Sequence, residues 1–248
     1  KMRQSLESGG NIDLTSRPAC VNWVALSTNP NFRNSKIVGT CKSIMGSVGT
    51  GQLVVIGDAA NINSRAALAK KLAAVGFSTI EPLGCKNLYA AAKKIDAATG
   101  IKRLEIALDF ICSCMTGAAK KAFLNAVKSQ QNGGRLGNAK FGVLVKAGIA
   151  VTDNSSVQSV LELMQGFDAK EDTRLFRREM FSAMRSALRI KCGRQSGSLA
   201  DAIWEVQNRI RHTGRTIGKR SIGSTLLVKG LEFDHAVIVH ADNMTRKD

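Results

Sequence analysis

The sequence predicts an α/β protein in which a parallel-sheet domain is interrupted by a mainly helical insertion. Two observations carry that prediction. "LVVIG", Leu53 to Gly57, is continuously apolar, as in a parallel strand covered on both faces, and it stands in a stretch that reads strand, helix, strand with short connections. From Cys85 to Arg220 the spacing then turns helical, and strand grammar returns only at "TLLVKGLEFDHAVIVHAD".

In chain order, "KMRQSLESGG" reads as a helix end stopped by Gly9-Gly10, and its opening lysine suggests a chain cut from a longer one. "ACVNWVAL", Ala19 to Leu26, is β-rich and expected as a strand; turn residues follow, then a helix spaced at Ile37, Cys41, Ile44 and Met45. After Leu53–Gly57, Asn61 to Ser64 supply a cap for a helix from Arg65 to Val75 that Gly76 ends, and "FSTIEPL" supplies a further short strand. The insertion carries helical spacing in "LYAAAKKIDAATG", "IKRLEIALDFICSCM", "AAKKAFLNAVKSQ", "SVQSVLELMQGF", "TRLFRREMFSAMRSALRIK" and "SLADAIWEVQNRIR". "AKFGVLVKAGIAV", Ala139 to Val151, fits a strand or a buried helix. The expected organisation is residues 1–84 and 221–248 as one sheet domain, with 85–220 inserted.

The 248 residues are long enough to bury a sizeable core, and no apolar run approaches the roughly 18 to 20 residues that span a bilayer, so the chain reads as soluble. Six cysteines, Cys20, Cys41, Cys85, Cys112, Cys114 and Cys192, without a visible signal peptide suggest reduced thiols in a cytosol. Cys112 and Cys114 invite a metal reading, but there are three histidines, His212, His235 and His240, and no second pair at zinc-ligand spacing, so buried structural cysteines are expected.

Charge is the most informative quantity. The net charge is +17, and the segment from Cys85 to Arg220 holds 24 basic against 11 acidic residues, with 12 against 8 elsewhere. Such an excess attracts polyanions, nucleic acid first among them; a solvated basic surface facing an acidic partner is the alternative. Arg174, Arg177, Arg178, Arg185 and Arg189 interleave with Phe176, Met180, Met184 and Leu188, an arginine face over an apolar stripe expected in the core. "RIRHTGRTIGKR" adds a second basic cluster containing Arg215, Lys219 and Arg220. Trp23, Trp204 and Tyr89 sit in patterned segments and are expected in the core, so no base-stacking platform is advertised. A Gly-x-x-x-x-Gly-Lys-Ser/Thr phosphate loop is missing: "MGSVGTGQ" lacks the lysine, and the chain is not expected to hold ATP by itself.

The run Lys229-Gly230-Leu231-Glu232-Phe233 and the strand after it resemble motif V of superfamily I DNA helicases of the UvrD/Rep kind. "NINSRAALAKKLAAVGF" looks like motif IV of the same family, with Arg65 as its arginine. The resemblance implies the second RecA-like domain of a motor, a P-loop NTPase fold without its own P-loop. Its partners would be the first RecA-like domain, single-stranded and duplex DNA, and ATP with Mg2+, in a bacterial cytoplasm. It assigns Arg65 to the γ-phosphate, Gly230 and Glu232 to the nucleotide side, and Thr225 and Lys229 to the nucleic-acid side, where Arg215, Lys219 and Arg220 would add contacts. A guanidinium entering a closed cleft would offset charge on a transferring phosphoryl group. More ordinary roles for the same residues are a surface arginine at a helix start, opposing the helix dipole, and a Glu232 capped by backbone N–H groups or paired with Lys229.

The sequence departs from the family pattern at Leu226, where many relatives carry histidine, and at its end, "NMTRKD", where motif VI would follow. The chain would therefore be inactive alone. A non-enzymatic nucleic-acid-binding module and the motor part of a helicase-nuclease are the competing expectations.

Overall fold

In the computed structural model of the protein, residues 22, 24–26, 29–49, 51–57, 62–82, 84–134, 141–154, 156–194 and 196–239 are described. The first helix, α1 (Pro30–Val48), starts as its sequence demands: the Asn29 side chain accepts the Asn31 N–H at 3.0 Å, and Pro30 sits where a missing N–H costs nothing. It buries Ile37 and Cys41. β1 (Leu53–Gly57) follows, then α2 (Ile62–Leu72) with a tighter turn at Ala73–Val75, and β2 (Ser78–Thr79). The cap expected at Asn61, the opening helix and most of Ala19–Leu26 lie outside the described residues.

Among the described residues of the insertion there are seven helices: α3 (Lys86–Ala97), α4 (Gly100–Cys114), α5 (Lys120–Gln131), α6 (Leu144–Asp153), α7 (Val157–Asp168), α8 (Arg178–Cys192) and α9 (Leu199–Thr213). A two-stranded antiparallel pair, β3 (Met115–Thr116) with β4 (Arg174–Leu175), is set among them. The chain then returns through β5 (Arg220–Ser224), a single turn α10 (Thr225–Val228) and β6 (His235–Ile238). The four main strands form a parallel sheet in the order β2-β5-β1-β6, with Gly57 in register with Ser224 and Leu53 with both Arg220 and His235.

Several local expectations change. Helix α2 begins at Ile62, so Ile62–Ser64, read with Asn61 as a cap, belong to its first turn. Trp204, expected in the core, is 60% exposed on α9. The ambiguous Ala139–Val151 segment is helical from Leu144. Helix α8 begins at Arg178 rather than near Thr173, because Arg174 and Leu175 pair with Thr116 and Met115 instead. Asn22 and Val24–Leu26 form no strand; Val24 is exposed, and Leu26 packs at the edge of the sheet core. Thr225–Val228, read as strand, is a helical turn, and the central strand is the preceding "RSIGS". That strand carries one large apolar residue, Ile222, so no apolar period announces it. Small residues are needed there: a Cβ on Gly223 would lie 2.8 Å from a Val228 methyl and 3.3 Å from Ile80 Cδ1.

Two hydrophobic cores result. One lies on the sheet, from Ile37 and Cys41 through Leu53, Val55, Leu72 and Phe77 to Ile222. The other fills the helical unit, where Phe123 meets Phe141 and Phe167 edge-on at ring separations of 5.2 and 5.1 Å. Phe176 crosses the division: it belongs to the insertion by sequence but is buried in the sheet core.

Around Phe176 the two units are stitched together. Its carbonyl accepts the Thr79 N–H at 2.8 Å, while its own N–H and that of Arg177 donate to the Cys114 carbonyl at 2.9 and 3.1 Å. Arg177, 8% exposed, then grips the Glu81 carboxylate with both prongs of its guanidinium, at 2.6 and 2.8 Å. Thr79 Oγ1 donates to the same carboxylate at 2.5 Å. Arg177 is thus no part of a solvated arginine face.

Removing one partner of such a pair leaves the other charge buried. Arg177→Ala is expected to lower the unfolding free energy by about 3–5 kcal/mol, read from urea titration. Glu81→Leu combined with Arg177→Met should lose much less, and an equal loss would show that packing rather than stranded charge sets the cost.

Candidate functional site

Ligands of open parallel sheets bind beyond the carboxyl ends of the strands. Two residues singled out from sequence come to that end. Arg65, on the first turns of α2, is buried to 7% exposure, and its side chain covers Gly57, the last residue of β1: a Cβ on Gly57 would lie 3.3 Å from Arg65 Cγ. Arg65 is therefore not an exposed surface arginine. Thr225 follows directly on Ser224, the register partner of Gly57, and is exposed at the start of α10.

The charged knot lies elsewhere on the same crossover. From Ser224 the chain turns back across β5 and β1 through α10, closes a turn in which the Leu231 N–H donates to the Val228 carbonyl at 3.0 Å, and reaches the amino end of β6 at His235. Gly230 sits within that turn at φ +79°, a conformation other residues adopt only with strain. Lys229, Gly230 and Glu232 are exposed. Among the described residues neither Lys229 nor Glu232 has a hydrogen-bond or ion-pair partner, so the pairing of the two, one ordinary role open to Glu232, is not formed. Asp234 fixes the far end: its Oδ2 accepts the Gln52 N–H at 2.6 Å, and the His235 N–H donates to the Gln52 carbonyl at 3.0 Å. Leu226, on α10, is 76% exposed.

The second basic cluster does not form one patch. Lys219 is exposed at the amino end of β5. Arg220 donates through Nη1 to the Val75 carbonyl at 2.7 Å, holding the turn that closes α2. Arg215 donates to the Glu81 carbonyl and lies 3.4 Å from Glu179, and its buried Nε has no acceptor among the described residues. Of the other arginines from Arg174 to Arg189, Arg185 pairs with Asp168 at 2.5 Å and Arg174 donates to backbone carbonyls; Arg178 and Arg189 have no ion-pair partner among the described residues.

Sequence reasoning missed the carboxylates of the junction. Glu179 accepts the Glu81 N–H at 2.9 Å. Burial pushes its carboxyl above the ordinary 4.5; the Glu81 hydrogen bond and Arg215 pull the other way without cancelling that effect. The signal was Glu81, the one charged residue in "FSTIEPL". Cysteines are also shaped by burial: Cys114 is pushed up to about 12 and Cys41 to about 11, values suited to inert packing rather than to thiolate chemistry. Among the described residues no group of three or more histidine, cysteine or acidic side chains could hold a metal ion, and no helix is long and apolar enough to cross a membrane. Comparison with protein-family models, curated proteins and solved structures finds no match to this chain.

A raised carboxyl has a stability signature with a definite sign. Native Glu179 holds its proton more tightly than unfolded Glu179, so stability from this group is greatest at low pH and falls as pH rises from about 4.5 through the raised native value. Glu179→Gln, which keeps an acceptor for the Glu81 N–H, is expected to flatten that fall in urea midpoints measured against pH. An unchanged slope would show that another group causes it.

Proposed function

We propose that this chain is the second RecA-like half of an ATP-dependent DNA motor of the superfamily I helicase type, its sheet split around a basic helical unit. The observation that carries the reading is the Lys229–Asp234 segment. Five consecutive residues of a motif V pattern fall on the crossover between two parallel strands, with Lys229, Gly230 and Glu232 exposed and the Lys229 and Glu232 side chains without a partner among the described residues. A parallel sheet with a helical unit inserted after β2, and Arg65 and Thr225 at one end of the strands, is compatible with it. In that motor ATP and Mg2+ are held chiefly by the other RecA-like half, whose phosphate loop this chain lacks.

Closure of the two halves would bring Arg65 toward the γ-phosphate. The aliphatic stem of Arg65 lies over Gly57 at the carboxyl end of β1, the end that closure of the two halves would cover. Gly230 and Glu232 would face the nucleotide. Thr225 and Lys229 would lie along single-stranded DNA, and Lys219 would add a contact through its free ammonium group. The net charge of +17 supports a polyanionic partner.

In the polypeptide that supplies the phosphate-loop half, Arg65→Ala is expected to lower DNA-stimulated ATPase turnover by about three to five orders of magnitude, the scale of an arginine finger, while leaving DNA affinity within a few-fold. Unchanged turnover would overturn the arginine's role. An intact protein with no DNA-stimulated turnover, but with salt-sensitive DNA binding, would favour a non-enzymatic binding module.

A further inference from the structure

A second place on the molecule has the make-up of a ligand site and shares no residue with the motif-bearing crossover. Between the start of α8 and the end of α9 runs a groove of about 420 Å³, closed at one end by Glu81–Pro82 and Arg215–Thr216 of the junction. Its size falls within the range of small-molecule clefts, roughly 300–1,000 Å³. The floor is apolar, made by Leu88, Met180, Val206 and Ile210. Three arginines from different segments also line it: Arg178 on α8, Arg209 on α9, and Arg215 beyond α9.

The charges that face the groove do not cancel. Glu81 is consumed by Arg177, and Glu179 lies against Arg215 and the Glu81 N–H. Arg178 has no ion-pair partner among the described residues. Arg209 has only Glu205 at 3.4 Å on an exposed helix face, a contact of little worth. Arg215 keeps one buried donor without an acceptor. Ser182 and Ser186, one helical turn apart on α8, line the groove with hydroxyls that have no protein partner among the described residues.

We propose that this groove binds a nucleoside phosphate, with the phosphate on Arg178 and Arg209, the base on the apolar floor, and the serine hydroxyls on sugar or base edges. Two planar, exposed guanidinium groups above an apolar bed suit an anion attached to a flat, weakly polar body. With no aromatic ring in the lining, affinity would come from the phosphate contacts and apolar burial, not from stacking. The ligand chemistry has two sources: a free nucleotide, or one nucleotide of a single strand. Because the groove is walled by both the helical unit and the junction, an occupant would brace one against the other. The proposal stands whether or not the chain is half of a motor.

Calorimetric titration of the full chain at low salt, with deoxyadenosine monophosphate and separately with a short thymidine oligonucleotide, tests it. Arg178→Ala with Arg209→Ala is expected to weaken binding roughly tenfold or more, the scale of lost charge-assisted phosphate contacts. Lys121→Ala with Lys128→Ala removes equal charge from α5, outside the groove, and should change affinity by less than about twofold. Binding of the mononucleotide marks a free nucleotide as ligand, and binding of the oligonucleotide alone marks a strand. No binding of either probe, or equal weakening by the two variant pairs, would overturn the site. Because both arginines are exposed, circular dichroism and the thermal midpoint should not change, which separates lost binding from lost fold.

Discussion

The two-pronged bond between Arg177 and Glu81 is the constraint on which the arrangement of the two units depends. Burying both ions removes them from water, a cost that only near-ideal geometry and further hydrogen bonds offset. Here the carboxylate takes both guanidinium prongs and the Thr79 hydroxyl, while the backbone N–H and carbonyl of Glu81 are taken by Glu179 and Arg215. One residue just beyond β2 thus holds the segment that enters α8 and the segment that returns toward β5. Phe176 adds an apolar anchor beside it, buried in the sheet core.

Such a joint has consequences for any motion between the units. The sheet core and the helical core are separate clusters, and they meet through a short list of polar contacts rather than a broad apolar face. Interfaces of that kind shift by exchanging hydrogen bonds, and the buried charge at Glu81 confines exchange to partners that can satisfy it. Arg215, with a donor unsatisfied, is the contact nearest to such an exchange. A motor that opens and closes would draw on this joint, and so would any ligand seated in the groove beside it.

Charge was legible in quantity and illegible in use. The excess of arginine and lysine in the insertion is plain from sequence, yet neighbouring arginines have different tasks. Arg103 is buried in α4 and donates to the Ala98 and Ile95 carbonyls at the end of α3; Arg177 is buried in the joint; Arg178, the next residue, is exposed. Adjacent positions at a helix start point in different directions, and a sequence does not say which meets a carboxylate from a segment some hundred residues away.

Local spacing and local backbone freedom determined the helices of the insertion other than Leu144–Asp153, which its apolar run left open between strand and helix, the apolar strand at Leu53–Gly57, and the stop at Gly76. The charged run Lys229–Asp234 stood out for the same reason: its residues are contiguous. Tertiary structure alone decided that "RSIGS" is a central strand, since its evidence is the crowding of Val228 and Ile80 around Gly223 rather than any apolar period. It alone decided that Glu81 and Arg177 form one buried pair, and that Arg215 and Arg220 hold backbone carbonyls while Lys229 and Glu232 stay exposed. Burial and pairing are relations between distant segments, and only the folded chain sets them.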